Sequence, residues 1–276
     1  EYFSVAHNDE FTTIGSETFM NSSLKNVDLF DSVTSIGARA FAGCAQLEEL
    51  TIPDSVTEIG ADAFSGLTGL EKLTILCDPA LIPEGSFANL PALKDVTIAK
   101  GAVAAHMFEG SGLTRLTLGD GVTEIGANAF ANTALMTANL TGVLEIGEGA
   151  FENAALEAVS LNANASVGER AFANTKLAQL VIPASGSFPL SAVENTNVEL
   201  RLSADATDEQ LAAWNETLAR PWYDPMLREG EVSKFVKMPF KATAAENFEF
   251  NPETGLISAY IGTDVDVVVP REIDGV

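Results

Sequence analysis

"VTSIGARAFAGCAQLEELTIPDS" spans residues 33–55, and "VTEIGADAFSGLTGLEKLTIL" begins at residue 56. The second segment repeats the first with few changes. Aligning the chain on the Phe of "AF" collects Phe19, Phe41, Phe64, Phe87, Phe108, Phe130, Phe151 and Phe172, with Val193 in the ninth place. The intervals are 22, 23, 23, 21, 22, 21, 21 and 21 residues. A period in the twenties held over nine units marks a solenoid, because one unit cannot bury its own apolar face and must stack on its neighbours.

Other apolar columns keep step. Five residues before each Phe stand Ile14, Ile36, Ile59, Ile82, Val103, Ile125, Ile146, Val167 and, before Val193, Phe188. Five or six after it come Leu24, Leu47, Leu70, Leu93, Leu113, Leu135, Leu156, Leu177 and Val198. Short alternating stretches follow, such as "LEELTIP" at 47–53 and "LTRLTLG" at 113–119, whose period of two is that of a strand with one face inward. Leu50 and Ile52, Leu73 and Ile75, and their counterparts face in, and stacked turns pair these strands into a parallel sheet.

Two columns carry the turns. Two residues after each aligned position lies Asn or Gly and nothing else: Asn21, Gly43, Gly66, Asn89, Gly110, Asn132, Asn153, Asn174, Asn195. These residues tolerate a left-handed backbone, so each "AF" is expected to close a short helix or 3₁₀ turn there. The "IG" column differs, since Gly15, Gly37, Gly60, Gly126, Gly147 and Gly168 give way to Pro83 and Ala104. Proline cannot take a positive φ, so this glycine is expected to serve close approach between backbones.

The texture changes at residue 203, dividing the chain into a solenoid at 1–202 and a C-terminal segment at 203–276. "TDEQLAAWNETLARP" has Thr207 and Gln210 spaced as a capping box and sets Leu211, Trp214 and Leu218 on one face. It predicts a helix over about 207–220 that covers the open end of the coil. Trp222 and Tyr223 follow, as packing for that cap or as an aromatic platform for a sugar. "FEFNPETGLISAYIG" reads as two strands about a turn at Asn251 to Gly255, and "TDVDVVVPREIDGV" as another strand.

Composition bounds the function. The 276 residues carry 39 acids against 15 Lys and Arg, a formal net charge of -24. The excess is spread over both segments, with 25 acids and 9 bases up to residue 202 and 14 and 6 beyond it. A surface so acidic repels phosphate backbones and anionic lipid headgroups, which argues against nucleic-acid or peripheral membrane partners. No apolar run approaches the roughly 20 residues of a membrane helix. Cys44 and Cys77 fall on different sides of a coil and are read as unpaired thiols, Cys44 buried.

The units "VTSIGARAFAGCAQLEELTIPDS", "VTEIGADAFSGLTGLEKLTIL", "VTEIGANAFANTALMTANL" and "VLEIGEGAFENAALEAVSL" closely resemble the BspA-like leucine-rich repeats of bacterial surface proteins. The resemblance covers residues 11 to about 202. It implies an α/β solenoid: a right-handed coil with a parallel β-sheet on its concave face, followed here by the capping helix and a small β-rich C-terminal segment. It further implies an exported, extracellular, cell-surface protein whose partner is a protein on a host or on another cell. "GLISAYIGTDVDVVVPREIDGV" looks like the lead-in to a further repeat array, so the parent protein is expected to continue beyond Val276.

Nothing in the sequence assembles a catalytic or cofactor site. His7 and His106 are the only histidines, and HExxH, CxxC, EF-hand, GxGxxG, GxxxxGK[ST] and GxSxG patterns are all missing. Neither a catalytic residue, nor a metal, nor a cofactor is therefore assigned. Carboxylates pair across stacked turns, Asp120 with Glu145 and Glu124 near Glu148, but acid-base work needs a cleft that raises one pKa. The candidate binding residues are instead the outward positions of the strands, Glu49, Thr51, Lys72, Thr74, Asp95, Thr97, Arg115 and Thr117, on the concave face. Thr beside Thr also stabilises a sheet with no ligand at all. Three readings follow: a protein-binding or adhesion module, a spacer displaying other domains, or a glycan-binding module, the last short of exposed aromatics on the strand face.

Overall fold

The computed structural model describes residues 2–4, 11–183, 187–203, 207, 209, 236–238, 248–251 and 256–260. The chain winds as stacked coils, and the strands lie in two ladders. In chain order they are β1 (Tyr2–Ser4), β2 (Thr13–Ile14), β3 (Asn26–Asp28), β4 (Ser35–Ile36), β5 (Glu49–Ile52) and β6 (Glu58–Ile59). Next come β7 (Lys72–Ile75), β8 (Asp95–Val103), β9 (Arg115–Ile125), β10 (Thr137–Leu140), β11 (Glu145–Ile146) and β12 (Ala158–Leu161). The last are β13 (Ser166–Val167), β14 (Gln179–Ile182), β15 (Glu199–Ser203), β16 (Val236–Met238), β17 (Phe248–Asn251) and β18 (Leu256–Tyr260).

One ladder gathers the alternating stretches and the other the "VTEI" stretches. β1, β3, β5, β7, β8 and β9 run side by side in parallel, and β2, β4 and β6 form the second ladder. The ladders fuse at β8 and β9, which are long enough to occupy both, and β11 and β13 continue from β9. In "LTIPDSVTEI" Pro53, which donates no hydrogen bond, sits at the break, but "VDLFDSVTSI" and "ANLTGVLEI" break at the same corner without a proline, so proline alone does not decide where "TIAKGAV" and "TLGDGVTEI" run through. Register shifts at Ile98/Lys100 and Gly101/Ala102 absorb the bend. Lys100 reaches back to pair with Asp54.

Between the ladders runs the phenylalanine column. Neighbouring rings from Phe19 to Phe172 stack with centroids 5.2–6.0 Å apart and planes within 23°. Phe41 to Phe172 are fully buried, while Phe19, at the end of the stack, is half-buried. The predicted strand positions face inward as well: Leu50, Ile52, Leu73, Ile75, Val96 and Ile98 are buried, with Leu116, Leu118, Val159 and Leu161 half-buried against the same core.

All nine Asn or Gly residues after the aligned position have positive φ, between 56° and 72°. The expected helical turn beside them does not form. Among the described residues up to 203 the only helical segments are two short 3₁₀ pieces, Pro79–Leu81 and Leu190–Val193. A second column explains this. Two residues before the Phe, Glu17, Arg39, Asp62, Gly85, His106, Asn128, Gly149 and Arg170 also have positive φ, between 54° and 68°. With left-handed residues on either side of each ring, backbone N–H groups alternate in direction. Those of Arg39, Phe41 and Gly43 donate to Ala61, Ala63 and Ser65 of the next coil, while those of Ala40, Ala42 and Cys44 close local turns onto Gly37, Arg39 and Phe41. A helix would spend every N–H along its own axis; here every second one ties coil to coil. The architecture is thus a parallel β-solenoid with very little helix, which corrects the α/β expectation.

The "IG" glycines do serve close approach. A Cβ on Gly60 would lie 2.3 Å from the Ala38 nitrogen, and one on Gly147 2.6 Å from the Ala127 nitrogen. Where Pro83 takes that place, the coil is rebuilt with the Pro79–Leu81 3₁₀ segment, capped by Asp78 Oδ1 accepting from the Ala80 N–H at 3.0 Å. At the far end β16 pairs in parallel with β15, and β17 and β18 form the antiparallel hairpin expected around Asn251 to Gly255. The helix expected at 207–220, with Trp222 and Tyr223 after it, lies outside the described residues apart from Thr207 and Glu209.

Phe130→Ala is expected to cost about 3–5 kcal/mol in a denaturant titration, since neighbouring coils cannot collapse into the gap. Asp62 sits at φ 56° with no side-chain hydrogen bond or ion pair in the described structure. Asp62→Val is expected to destabilise by roughly 1–2 kcal/mol or more, whereas Asp62→Gly stays near neutral. Equal melting temperatures for these two variants would show that the left-handed column is not what selects the residue.

Candidate interaction face

The parallel ladder fixes where the outward side chains stand. Glu49, Lys72, Asp95 and Arg115 are consecutive register partners across β5, β7, β8 and β9, and Thr51, Thr74, Thr97 and Thr117 form the column beside them. All eight predicted site residues thus come together on one face, with strands about 4.8 Å apart. Asp95, Thr74 and Thr97 are half-buried and the other five are exposed.

The charged column alternates in sign and sums to zero within a chain of net charge -24. Arg115 donates from Nη2 and Nε to Asp95 Oδ2 at 2.8 and 3.2 Å, yet its side chain remains 73% exposed. Glu49 and Lys72 stand opposite each other in register without closing an ion pair in the described structure. Toward β10, β12 and β14 the same face becomes neutral: Thr137 partners Ala158 and Asn139 partners Ser160, while Met136 is 50% and Val181 38% exposed.

Elsewhere the polar groups are tied up between coils. Arg170 donates from Nη1 to Glu194 at 2.7 Å and pairs on its other side with Glu152. The left-handed asparagines form a ladder of their own, with Asn153 donating to Asn132 at 3.1 Å and Asn195 to Asn174 at 3.0 Å. Nothing in the spacing of the repeat announced that second use.

His106 lies in the left-handed column, exposed, with Nδ1 2.7 Å from Glu109 Oε2, as a turn residue. The carboxylate pairing is corrected: the register partner of Glu145 is Glu124, both exposed on a flat surface. The fused ladder running through β9 and β11 sets that register, which the repeat spacing alone does not give. Among the described residues no group of three or more His, Cys, Asp or Glu converges. A shallow apolar hollow lined by Phe11, Ile14, Phe19, Val27, Leu29 and Phe30 lies where the core meets the first coil.

Both thiols are buried and unpaired. Cys44 donates to the Phe19 carbonyl at 3.0 Å, and Cys77 has its pKa pushed by burial from 9.0 to about 11.

Coils of one short repeat, a continuous aromatic core and a polar outward strand face define a parallel β-solenoid of the leucine-rich-repeat class. The chain belongs to the BspA-type leucine-rich repeat family, whose six-copy repeat region matches residues 12–104 and 82–199. Crystal structures similar to it include the Treponema pallidum leucine-rich repeat protein, at 24% identity over 63% of this chain and 76% of that one, TM-score 0.40. A leucine-rich cell surface protein from Faecalibacterium prausnitzii A2-165 is 19% identical over 74% of this chain and 80% of that one, TM-score 0.35. A leucine-rich repeat protein from Bacteroides ovatus ATCC 8483 is 16% identical over 85% and 83%, TM-score 0.36. No curated protein matches the chain in sequence. Among the described residues no helix is long and apolar enough to cross a membrane.

Because the native Cys77 thiol holds its proton to about 11 whereas an unfolded thiol releases it near 9.0, stability from this group is complete below pH 9 and falls as pH rises toward 11. A thiol reagent at pH 8 is expected to label neither cysteine of the native protein and both after unfolding. Rapid native labelling of Cys77 would contradict its burial.

Proposed function

We propose that this chain is a non-catalytic protein-binding module, displayed outside the cell, that engages another protein through the outward face of β5, β7, β8 and β9. The observation that carries the reading is the in-register pair of polar columns, Glu49–Lys72–Asp95–Arg115 beside Thr51–Thr74–Thr97–Thr117. On a strongly acidic molecule, a locally neutral strip with alternating charge is where a protein partner approaches without net repulsion, and its charges fix register. Solenoids bind through extended surfaces of this kind.

Membership of a repeat family with surface-protein relatives supports extracellular display, with adhesion to a host or bacterial protein as the role. A concave shape for the strand face and a right-handed coil belong to the same proposal. The described part of that face offers Thr, Asn, Ser and charged side chains rather than aromatic rings, which favours a protein over a glycan.

A panel of extracellular-matrix and bacterial-surface proteins, assayed against the immobilised chain, tests this. Lys72→Glu combined with Arg115→Glu is expected to weaken any specific binding at least tenfold. Arg39→Glu, on the turn side, is expected to leave it unchanged. Binding that survives the double reversal, or no binding to any panel member, would overturn the reading.

A further inference from the structure

We infer that the strand face is jointed between β9 and β10, so that β10 and β12 swing as a unit against the sheet that carries the charged column. From β1 through β3, β5, β7 and β8 to β9, each strand of the face is bonded to the next. β10 and β12 form a sheet of their own, in which β10 has register partners in β12 and none in β9. Just before the strands, the Thr114 N–H donates to the Lys94 carbonyl and the Glu157 N–H to the Met136 carbonyl, tying each coil to the one before. Among the described residues no such bond runs from Met136 to Thr114.

Burial reports the same break independently. The inward residues of β5, β7, β8, β10 and β14 are buried, whereas Leu116 and Leu118 of β9 are half-buried. Val159 and Leu161 of β12 are half-buried too, and β12 likewise has no bonded strand after it, because β14 begins a further sheet. Core side chains are thus reached by solvent at the two places where the strand ladder is interrupted. An interruption of bonding that also uncovers the core is a real separation of neighbouring coils.

The two coils on either side of β9 and β10 stay fastened elsewhere. Ala102 and Val103 pair with Glu124 and Ile125 in the second ladder, and the N–H groups of His106, Phe108 and Gly110 donate to Ala127, Ala129 and Ala131. The Phe108 and Phe130 rings stack at 5.3 Å. One side of the coil is open while the others are tied, which is the arrangement of a hinge. Moving β10 away from β9 breaks no ladder bond, whereas parting any earlier pair breaks a row of them. Glu49, Lys72, Asp95 and Arg115 lie on one side of the joint, and Thr137, Asn139, Ala158 and Ser160 on the other. Motion there changes the angle between the charged and the neutral parts of the face and leaves the register of the charged column intact. Its use by a partner rests on the protein-binding reading above; the joint itself does not.

Spin labels on the full chain test the motion by pulsed electron resonance. Thr74→Cys with Ser160→Cys spans four strand steps across the joint, and Asp28→Cys with Thr117→Cys spans four steps inside one bonded sheet, each about 19 Å. Cys44 and Cys77 are buried and do not compete for label. The distance distribution across the joint is expected to be about 1.5-fold broader than the control, or more. Equal widths, or a broader control, would overturn the inference. Should a labelled variant lose its cooperative melt, amide exchange of the unmodified chain makes the comparison. The amides of 115–118 and 137–140 that face each other across the joint are expected to exchange roughly a hundredfold faster than those of 72–75, and equal protection would overturn the joint. The panel assay above reads binding of foreign proteins, so it succeeds or fails separately.

Discussion

The coil-to-coil hydrogen bond at alternate residues around every phenylalanine of the stack except Phe64 is the constraint from which the rest follows. It requires positive φ two residues before and two after the ring, and the bonds from Arg39, Phe41 and Gly43 to the next coil set one fixed offset between units. That offset places each ring on its neighbour and each outward strand residue beside its counterpart. Ring stacking adds about 0.5–1.5 kcal/mol per pair beyond buried area, but stacking alone would permit rings to slide. The backbone ladder removes that freedom.

Much of this was readable in the amino acids, and the reasons differ by position. Phe41 to Phe172 and the Leu50/Ile52 pairs announce themselves because burial admits few residue types and the period is short. The Asn/Gly column was legible because those residues are the ones that bear a left-handed backbone at small cost. The mirror column before the ring was not, since it holds Glu17, Arg39, Asp62 and His106, which ordinarily signal only solvent exposure. Its clues were partial: Gly85, Asn128 and Gly149 stand there among the charged residues, and no β-branched residue does. Missing it led to the expectation of a helical turn, which the alternating N–H directions forbid.

The candidate face divides similarly. Its eight residues could be chosen from the period of two within strands, and parallel stacking set them in line. Sign alternation along Glu49, Lys72, Asp95 and Arg115 became meaningful only once exact rung-to-rung register was known. The neighbour of Glu124 could not be read in advance, because it depends on β9 running through a corner where other coils turn. Pro53 marks one such turn, but the corners at 29–34 and 141–144 turn without a proline, so no single residue type announces which coils run through.

That corner has a mechanical consequence. A stack of coils is a one-dimensional array in which each unit is held by its immediate neighbours. In most coils two narrow ribbons run separately, so force applied at either end peels them one rung at a time. β8 and β9 span both ribbons, joining β1, β3, β5 and β7 on one side to β11 and β13 on the other in one sheet, and Lys100 reaches over an intervening coil to Asp54. Under tension the solenoid should therefore fray from its ends toward a central clasp, leaving the charged strand face as the last surface to come apart.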